Sequence, residues 1–157
     1  MAMKIVILED NIDRQVAMRA CLADRFSTFE VVIFDSSAET IQYLREHLGE
    51  TIAIALDHDL ELRSDGEGGF TDFGTGREVA DYLATREPVC PVIIHTSNTV
   101  AEVGMRMALQ EADWRTKRIV PFDDVHWIAT DWFRAMRRAI VGPLRNAQLK
   151  SKAGSAI

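Results

Sequence analysis

Cysteine is scarce in this sequence. Cys21 and Cys90 stand alone with no CxxC arrangement, which argues against a zinc ribbon or a disulfide framework and fits buried thiols in a reducing compartment. No stretch approaches the roughly 18 uninterrupted apolar residues of a membrane span, so no membrane partner is expected. The N-terminus passes from Lys4 straight into a strand-like run that ends in Glu9-Asp10, which leaves no secretory h-region, and the compartment expected is the cytoplasm. An excess of positive charge is also missing. The formal net charge is −6, which argues against broad nonspecific nucleic-acid binding while leaving room for a local basic patch.

What is present is an ordinary globular composition, with 157 residues, 47% apolar and 27% charged. That length predicts one domain with a core large enough to need no staple. The chain is organised around Ile52-Ala53-Ile54-Ala55-Leu56-Asp57-His58-Asp59. A run this short and this apolar reads as a central strand covered on both faces, so the polar triplet falls at its carboxyl end. In open α/β sheets ligands bind outside the strand tips, and three titratable side chains there point to chemistry.

The same pattern recurs along the chain. Met3 to Leu8 reads as a strand ending in Glu9-Asp10, and Asn11 caps a helix from Ile12 to about Arg25 whose apolar positions are Val16, Ala20 and Phe26. A second strand, Phe29 to Phe34, precedes a helix capped by Ser36 or Ser37, carrying Ile41, Tyr43, Leu44 and Leu48 and closed by Gly49. After the central strand, Leu60 to Phe73 is too long and too polar for a tight βα connection and reads as a substrate loop. Its acids lack the spacing and closing Glu of a calcium loop. Gly74-Thr75-Gly76 then opens a third helix, where a Thr cap and an anion-binding helix N-terminus are both open readings. The fourth strand, Pro91 to Ile94, ends in His95-Thr96-Ser97-Asn98, and a helix follows from about Val100 to Ala112. A short fifth strand, Arg118-Ile119-Val120, breaks at Pro121-Phe122, and Asp123 or Asp124 caps a last helix with an apolar stripe of Val125, Ile128, Trp132, Met136 and Ile140. Arg134, Arg137 and Arg138 fall on its other face, as a solvated surface or an RNA or partner surface. The domain is expected to end near residue 141, with 142–157 a loose tail.

Five βα units with right-handed crossovers predict a flavodoxin-like, doubly wound five-stranded parallel sheet of order 2-1-3-4-5 with helices on both faces. The switch point lies between strands 1 and 3. Glu9, Asp10 and Asp57 meet there, and three hard oxygen donors fit magnesium. His58, Asp59, His95, Thr96 and Asn98 are expected around the same pocket, provided the third strand ends or bulges after Asp57. A regular strand would instead turn His58 away from the two aspartates.

The acidic pair after strand 1, Asp57, Thr96 and Pro121-Phe122 together resemble a response-regulator receiver domain. The lysine that family places directly before the last Pro-Phe is Val120 here. Leu56-Asp57-His58-Asp59-Leu60, the long loop, Thr75-Gly76 and Ile94-His95-Thr96-Ser97-Asn98 resemble the divergent branch called cyclic-phosphate processing receiver domains. That resemblance implies a phosphoesterase acting on cyclic phosphates of nucleotides or RNA ends. Ring opening needs a base, an acid and donors to the phosphorane-like transition state. Two imidazoles can divide the proton transfers near neutral pH, so His58 and His95 are the expected catalytic pair, with Asp59 orienting His58. Thr75, Gly76, Thr96 and Asn98 are the expected phosphate donors, and Mg2+ on Glu9, Asp10 and Asp57 the expected cofactor. The alternative implied is a noncatalytic signalling module that takes a phosphoryl group at Asp57 or binds a partner, a second copy included, through its last strand and helix. His47 and His126 fall on helices, as structural or exposed residues.

Overall fold

The computed structural model describes residues 2–155. Strand β1 (Lys4–Leu8) leads to helix α1 (Ile12–Arg25), β2 (Glu30–Phe34), α2 (Ser37–His47) and β3 (Thr51–Leu56). A small hairpin of β4 (Arg63–Ser64) and β5 (Phe70–Thr71) precedes α3 (Gly76–Ala84), and β6 (Val92–His95), α4 (Thr99–Glu111), β7 (Thr116–Ile119) and α5 (Phe133–Gly154) complete the chain. The five long strands pair in parallel in the order β2-β1-β3-β6-β7. This is the flavodoxin-like order that the sequence predicts, and no described helix is long and apolar enough to cross a membrane.

Every residue of β1 and β3 is buried, because helices cover both faces of the sheet. Alternate side chains go to opposite faces. Ile5, Ile7, Ala53 and Ala55 meet α1, α5 and the turn that leads into α5 through Met18, Leu22, Trp132, Met136 and Ile140. Val6, Leu8, Ile54 and Leu56 meet Leu44, Val79, Leu83, Met105 and Leu109 on the other side. Each of these larger side chains contributes roughly 1.5–3 kcal/mol by leaving water. Cys21 and Cys90 are free. Burial raises both thiols, Cys90 to about 12, which keeps them out of the reactive thiolate form.

Three expectations need correction. Asn11 does cap α1 through its side-chain oxygen, which accepts from the Arg14 N–H at 3.0 Å. The buried face, however, is Met18 and Leu22, while Val16 is 63% exposed and Ala20 is exposed. Two residues are about 200° around a helix, so the stripe drawn through Val16 and Ala20 lies on the opposite side. The last helix is not capped by Asp123 or Asp124. Asp123 takes a left-handed turn, and the chain enters the helix at His126 and passes through a π-helical turn at Ile128–Trp132. Nor does an irregular tail begin at residue 142. Helix α5 continues to Gly154 with Gly142 and Pro143 inside it, and residues 156 and 157 lie outside the described residues. The strong helix formers Leu144, Arg145, Ala147, Gln148, Leu149, Lys150 and Lys152 outweigh the two breakers.

An interior proline costs a helix about 3 kcal/mol relative to alanine. Pro143→Ala is therefore expected to favour the helical C-terminal segment by up to about that amount, read as a gain in helical circular dichroism. Unchanged ellipticity would mean that the segment is not helical in solution.

Candidate functional site

The parallel ladder places the acids. Strand β1 pairs with β3 so that Leu8 lies opposite Leu56, and the Asp57 N–H donates to the Leu8 carbonyl at 3.0 Å. The residues that follow Leu8 and Leu56 therefore leave the sheet side by side. Glu9, Asp10 and Asp57 each bring an oxygen to a common point, with all three atoms within 4.8 Å of one another. One oxygen of each carboxylate is held by a backbone N–H. Asn11 donates to Glu9 at 3.1 Å, Glu61 to Asp10 at 2.6 Å, and His58 to Asp57 at 2.7 Å. The Gln15 side chain adds a 2.6 Å bond to the Glu9 carbonyl.

Glu9 and Asp57 are buried and Asp10 half-buried. Burial alone would raise Glu9, but the neighbouring His95 ring, the Asn11 N–H and the Arg14 guanidinium outweigh it and hold this carboxyl below the usual range. Burial pushes Asp57 up to about 7, helped by the charge on Glu9 and opposed by His95. Asp10 is raised chiefly by burial and then by Glu9, against the Glu61 N–H. Three clustered oxygens with these pKa directions fit a hard divalent cation, which favours carboxylates and offsets their repulsion.

His58 satisfies the condition set by the alternation of a strand. Strand β3 ends at Leu56, and the chain bends so that His58 and Asp59 face each other, Nδ1 to Oδ1 at 2.8 Å. That bond places a proton on Nδ1 in the neutral ring and leaves Nε2 as the acceptor. The His58 side chain is 17% exposed. Asp59 thus lies where the orienting role expected of it would require.

His95 is placed elsewhere. It ends β6 pointing to the α1 and α5 face, is fully buried, and neither ring nitrogen has a hydrogen-bond partner. Its Nε2 lies 3.5 Å from Glu9 Oε1, and its ring packs against Trp127 and Trp132 at centroid distances of 5.8 and 6.4 Å. A ring walled in by two indoles does not meet a dissolved substrate. The expected catalytic pair is thus corrected to one accessible imidazole, His58, with His95 acting on Glu9 from behind.

The expected phosphate donors are also largely committed. The Thr75 side chain and Glu78 form a reciprocal capping box at the start of α3, in which the Thr75 N–H donates to Glu78 at 3.2 Å. The Gly76 N–H donates to the His58 carbonyl at 3.1 Å. Their amides therefore do not await an anion. Gly76 instead permits close approach, since a Cβ there would lie 1.8 Å from the Asp57 carbonyl oxygen. Asn98 caps α4 by accepting from Ala101 at 3.0 Å, and buried Thr96 accepts from the Asn98 N–H at 3.1 Å. These two keep the Asn98 amide N–H groups and the Thr96 hydroxyl hydrogen as donors.

Sequence reasoning missed Arg14, Trp127 and Trp132. Arg14 is the third residue of α1 after its cap, a position that faces back toward the strand tip. Its guanidinium lies 3.5 Å from Glu9 Oε1 and 5.3 Å from the Trp127 ring centroid. Trp127 and Trp132 are five apart, which in a regular helix would separate them by about 140°. The π turn, in which the Phe133 N–H reaches the Ile128 carbonyl, brings both rings onto His95.

The model of the cyclic-phosphate processing receiver domain matches residues 4–111. No curated protein matches. Among solved structures, the phosphorylated cyanobacterial phytochrome response regulator RcpA is 17% identical, with a TM-score of 0.66 over 90% of this chain and 95% of that one. The Mn(2+)-bound response regulator Rcp1 is 14% identical with a TM-score of 0.60, covering 87% and 92%. The response regulator domain of Thermotoga maritima CheB is 13% identical with a TM-score of 0.61, covering 89% and 97%. At these identities the likeness is one of fold.

Two predictions follow from this geometry. Gly76→Ala drives a methyl group into the Asp57 backbone and is expected to destabilise the protein by about 1–3 kcal/mol, read as a lower urea midpoint with an unchanged slope. The unfolded chain loses the Asp57 proton near pH 4, the native protein only near 7. Between these values the native state binds more protons, so stability of the metal-free protein falls as pH rises and levels off above about 7. Asp57→Asn is expected to flatten that slope and to stabilise the metal-free protein at about pH 8 by on the order of 4 kcal/mol at most. Urea melts in a chelating buffer across this range test it.

Proposed function

We propose, from the premise that this chain belongs to the cyclic-phosphate processing receiver domain family, that it hydrolyses a cyclic phosphodiester of a nucleotide or an RNA end. The observation that carries this reading is an oriented imidazole in the segment that leaves the acid-bearing end of β3. His58 is held by Asp59 at 2.8 Å and directly follows Asp57, one of three clustered carboxylates.

His58 Nε2 is the base that takes a proton from the attacking water. The water oxygen forms a bond to phosphorus, the bond from phosphorus to one ribose oxygen breaks, and the departing oxygen takes the proton back from the same imidazole, leaving a phosphomonoester. Asp59 holds the tautomer and stabilises the charged ring. Thr96 and Asn98 supply hydrogen-bond donors to the phosphoryl oxygens. Glu9, Asp10 and Asp57 would hold Mg2+, which supplies positive charge against the phosphoryl oxygens; one receiver of the same fold is described as Mn(2+)-bound. His95 and Arg14 position Glu9.

A second reading is supported by the receiver fold and by the place of Asp57 at the end of β3, namely phosphoryl acceptance at Asp57 in a signalling module. Val120 in place of the family's lysine weighs against it. Arg118 does not substitute, because it turns toward α4, where it donates to Thr99 and lies 3.9 Å from Glu102.

Hydrolysis of 2′,3′-cyclic nucleotides with and without magnesium separates the two readings. His58→Ala is expected to lower turnover by about 10²-fold or more, and Asp59→Asn by less. Absence of turnover on any such substrate, together with labelling of Asp57 by a small phosphodonor, would instead establish the signalling module.

A further inference from the structure

The net charge of −6 conceals a one-sided distribution. Along α5, Arg134, Arg138 and Arg145 recur at i, i+4 and i+11, within about 40° of one another around the axis, with Arg137 on the flank. Two adjoining grooves follow this row. The first lies between α5 and the edge strand β7, where Lys117 and the exposed side chains of Val120 and Phe122 join Arg134 and Arg138. The second continues along α5 past Val141 to Arg145. Among the described residues, none of these four arginines nor Lys117 forms an ion pair, whereas Arg14, Arg63, Arg77 and Arg106 all do. Asp131 is the one acid lining these grooves. Like charges spaced by four on a helix repel, so the row costs stability for as long as nothing anionic lies on it.

Position and chemistry narrow the partner. Phe122 follows the carboxyl end of β7, and parallel strands put that end on the same side of the sheet as Asp57 and Thr96. Helix α5 then returns from that side, so the cationic row begins at the acidic site's end of the molecule and leads away from it for about 16 Å. Guanidinium groups match phosphates in geometry, and an exposed ring at the head of a cationic groove suits an unstacked base. Five unpaired cations against one acid favour a polyanion over a protein face of mixed charge.

We propose that the α5–β7 surface binds the body of a single-stranded RNA, so that the molecules presented to the site are RNA ends rather than free nucleotides. The identity of the bound end rests on the phosphoesterase reading; the binding surface does not.

The test is fluorescence anisotropy of a labelled single-stranded RNA with an ordinary 3′-hydroxyl, titrated with the full chain at several salt concentrations. Wild type is expected to bind, and Arg134→Glu/Arg138→Glu to bind at least about tenfold more weakly. The neutral pair Arg134→Gln/Arg138→Gln should lower the slope of log affinity against log salt by about 1.4, from roughly 0.7 per lost phosphate contact on a single strand. Arg25→Glu, on the exposed end of α1, serves as the charge control and should match wild type. Equal binding by wild type and both double variants, or no binding by wild type at low salt, overturns the proposal. So does polyglutamate that displaces the RNA as well as unlabelled RNA does, which would assign the surface to an acidic peptide. Failure of the phosphoesterase reading is separate: wild type would bind RNA through this surface while turning over no cyclic substrate. Conversely, loss of RNA binding in the charge-reversed pair with mononucleotide turnover intact locates binding outside the reaction centre.

Discussion

Three carboxyl groups end two adjacent buried strands, and the surrounding residues answer that one electrostatic problem. Like charges brought together out of water repel strongly, because little solvent screens them. The ladder between β1 and β3 leaves no choice of position, since Asp57 is hydrogen-bonded to Leu8 before its side chain begins. Relief therefore comes from backbone N–H groups on one oxygen of each acid, from Arg14 and His95 near Glu9, and from a shared proton inventory in which Glu9 is lowered while Asp57 is raised. A divalent cation is the remaining way to bring all three into the charged form together.

The replacement of the family's lysine by Val120 acquires a physical meaning here. The position after β7 contributes an exposed apolar side chain. Positive charge reaches Glu9 instead from α1, through Arg14, while the His95 ring of β6 packs against the same carboxylate. A lysine on a loop can swing between a phosphoryl group and solvent, whereas a ring wedged between Trp127 and Trp132 cannot. The surroundings of Glu9 are thus tied to the packing of the core.

The fold was legible because buried parallel strands announce themselves as short apolar runs, and five such runs alternating with helices admit few topologies. The acids were legible for the same reason, as the first polar residues after those runs. The direction of His95 was legible in principle: Ile93 and His95 share one face of β6, the face that meets Trp127, Trp132 and Met136. What hid it was the π turn, since a period of 3.6 sends the two tryptophans apart and leaves no aromatic wall to foresee. The tasks of Thr75, Gly76 and Asn98 were hidden differently. Each has the chemistry of a phosphate ligand, but the Thr75 and Gly76 amides and the Asn98 side-chain oxygen are claimed first, because helix starts must satisfy their own orphan groups, which leaves Asn98 only its side-chain N–H donors. A donor's residue type says nothing about whether it is already committed.

The charge distribution completes the argument. Acidic groups gather at the strand tips, where the sheet topology demands that any ligand sit, while unpaired cations run along the outside of α5 and β7. A small anion would be repelled by the tips unless its charge were compensated locally, and a long polyanion would not, since its body meets the cationic row before its end meets the acids. Separation of the two signs around one end of the sheet is the electrostatic pattern on which the proposed RNA surface rests: it would favour anions that are extended rather than compact.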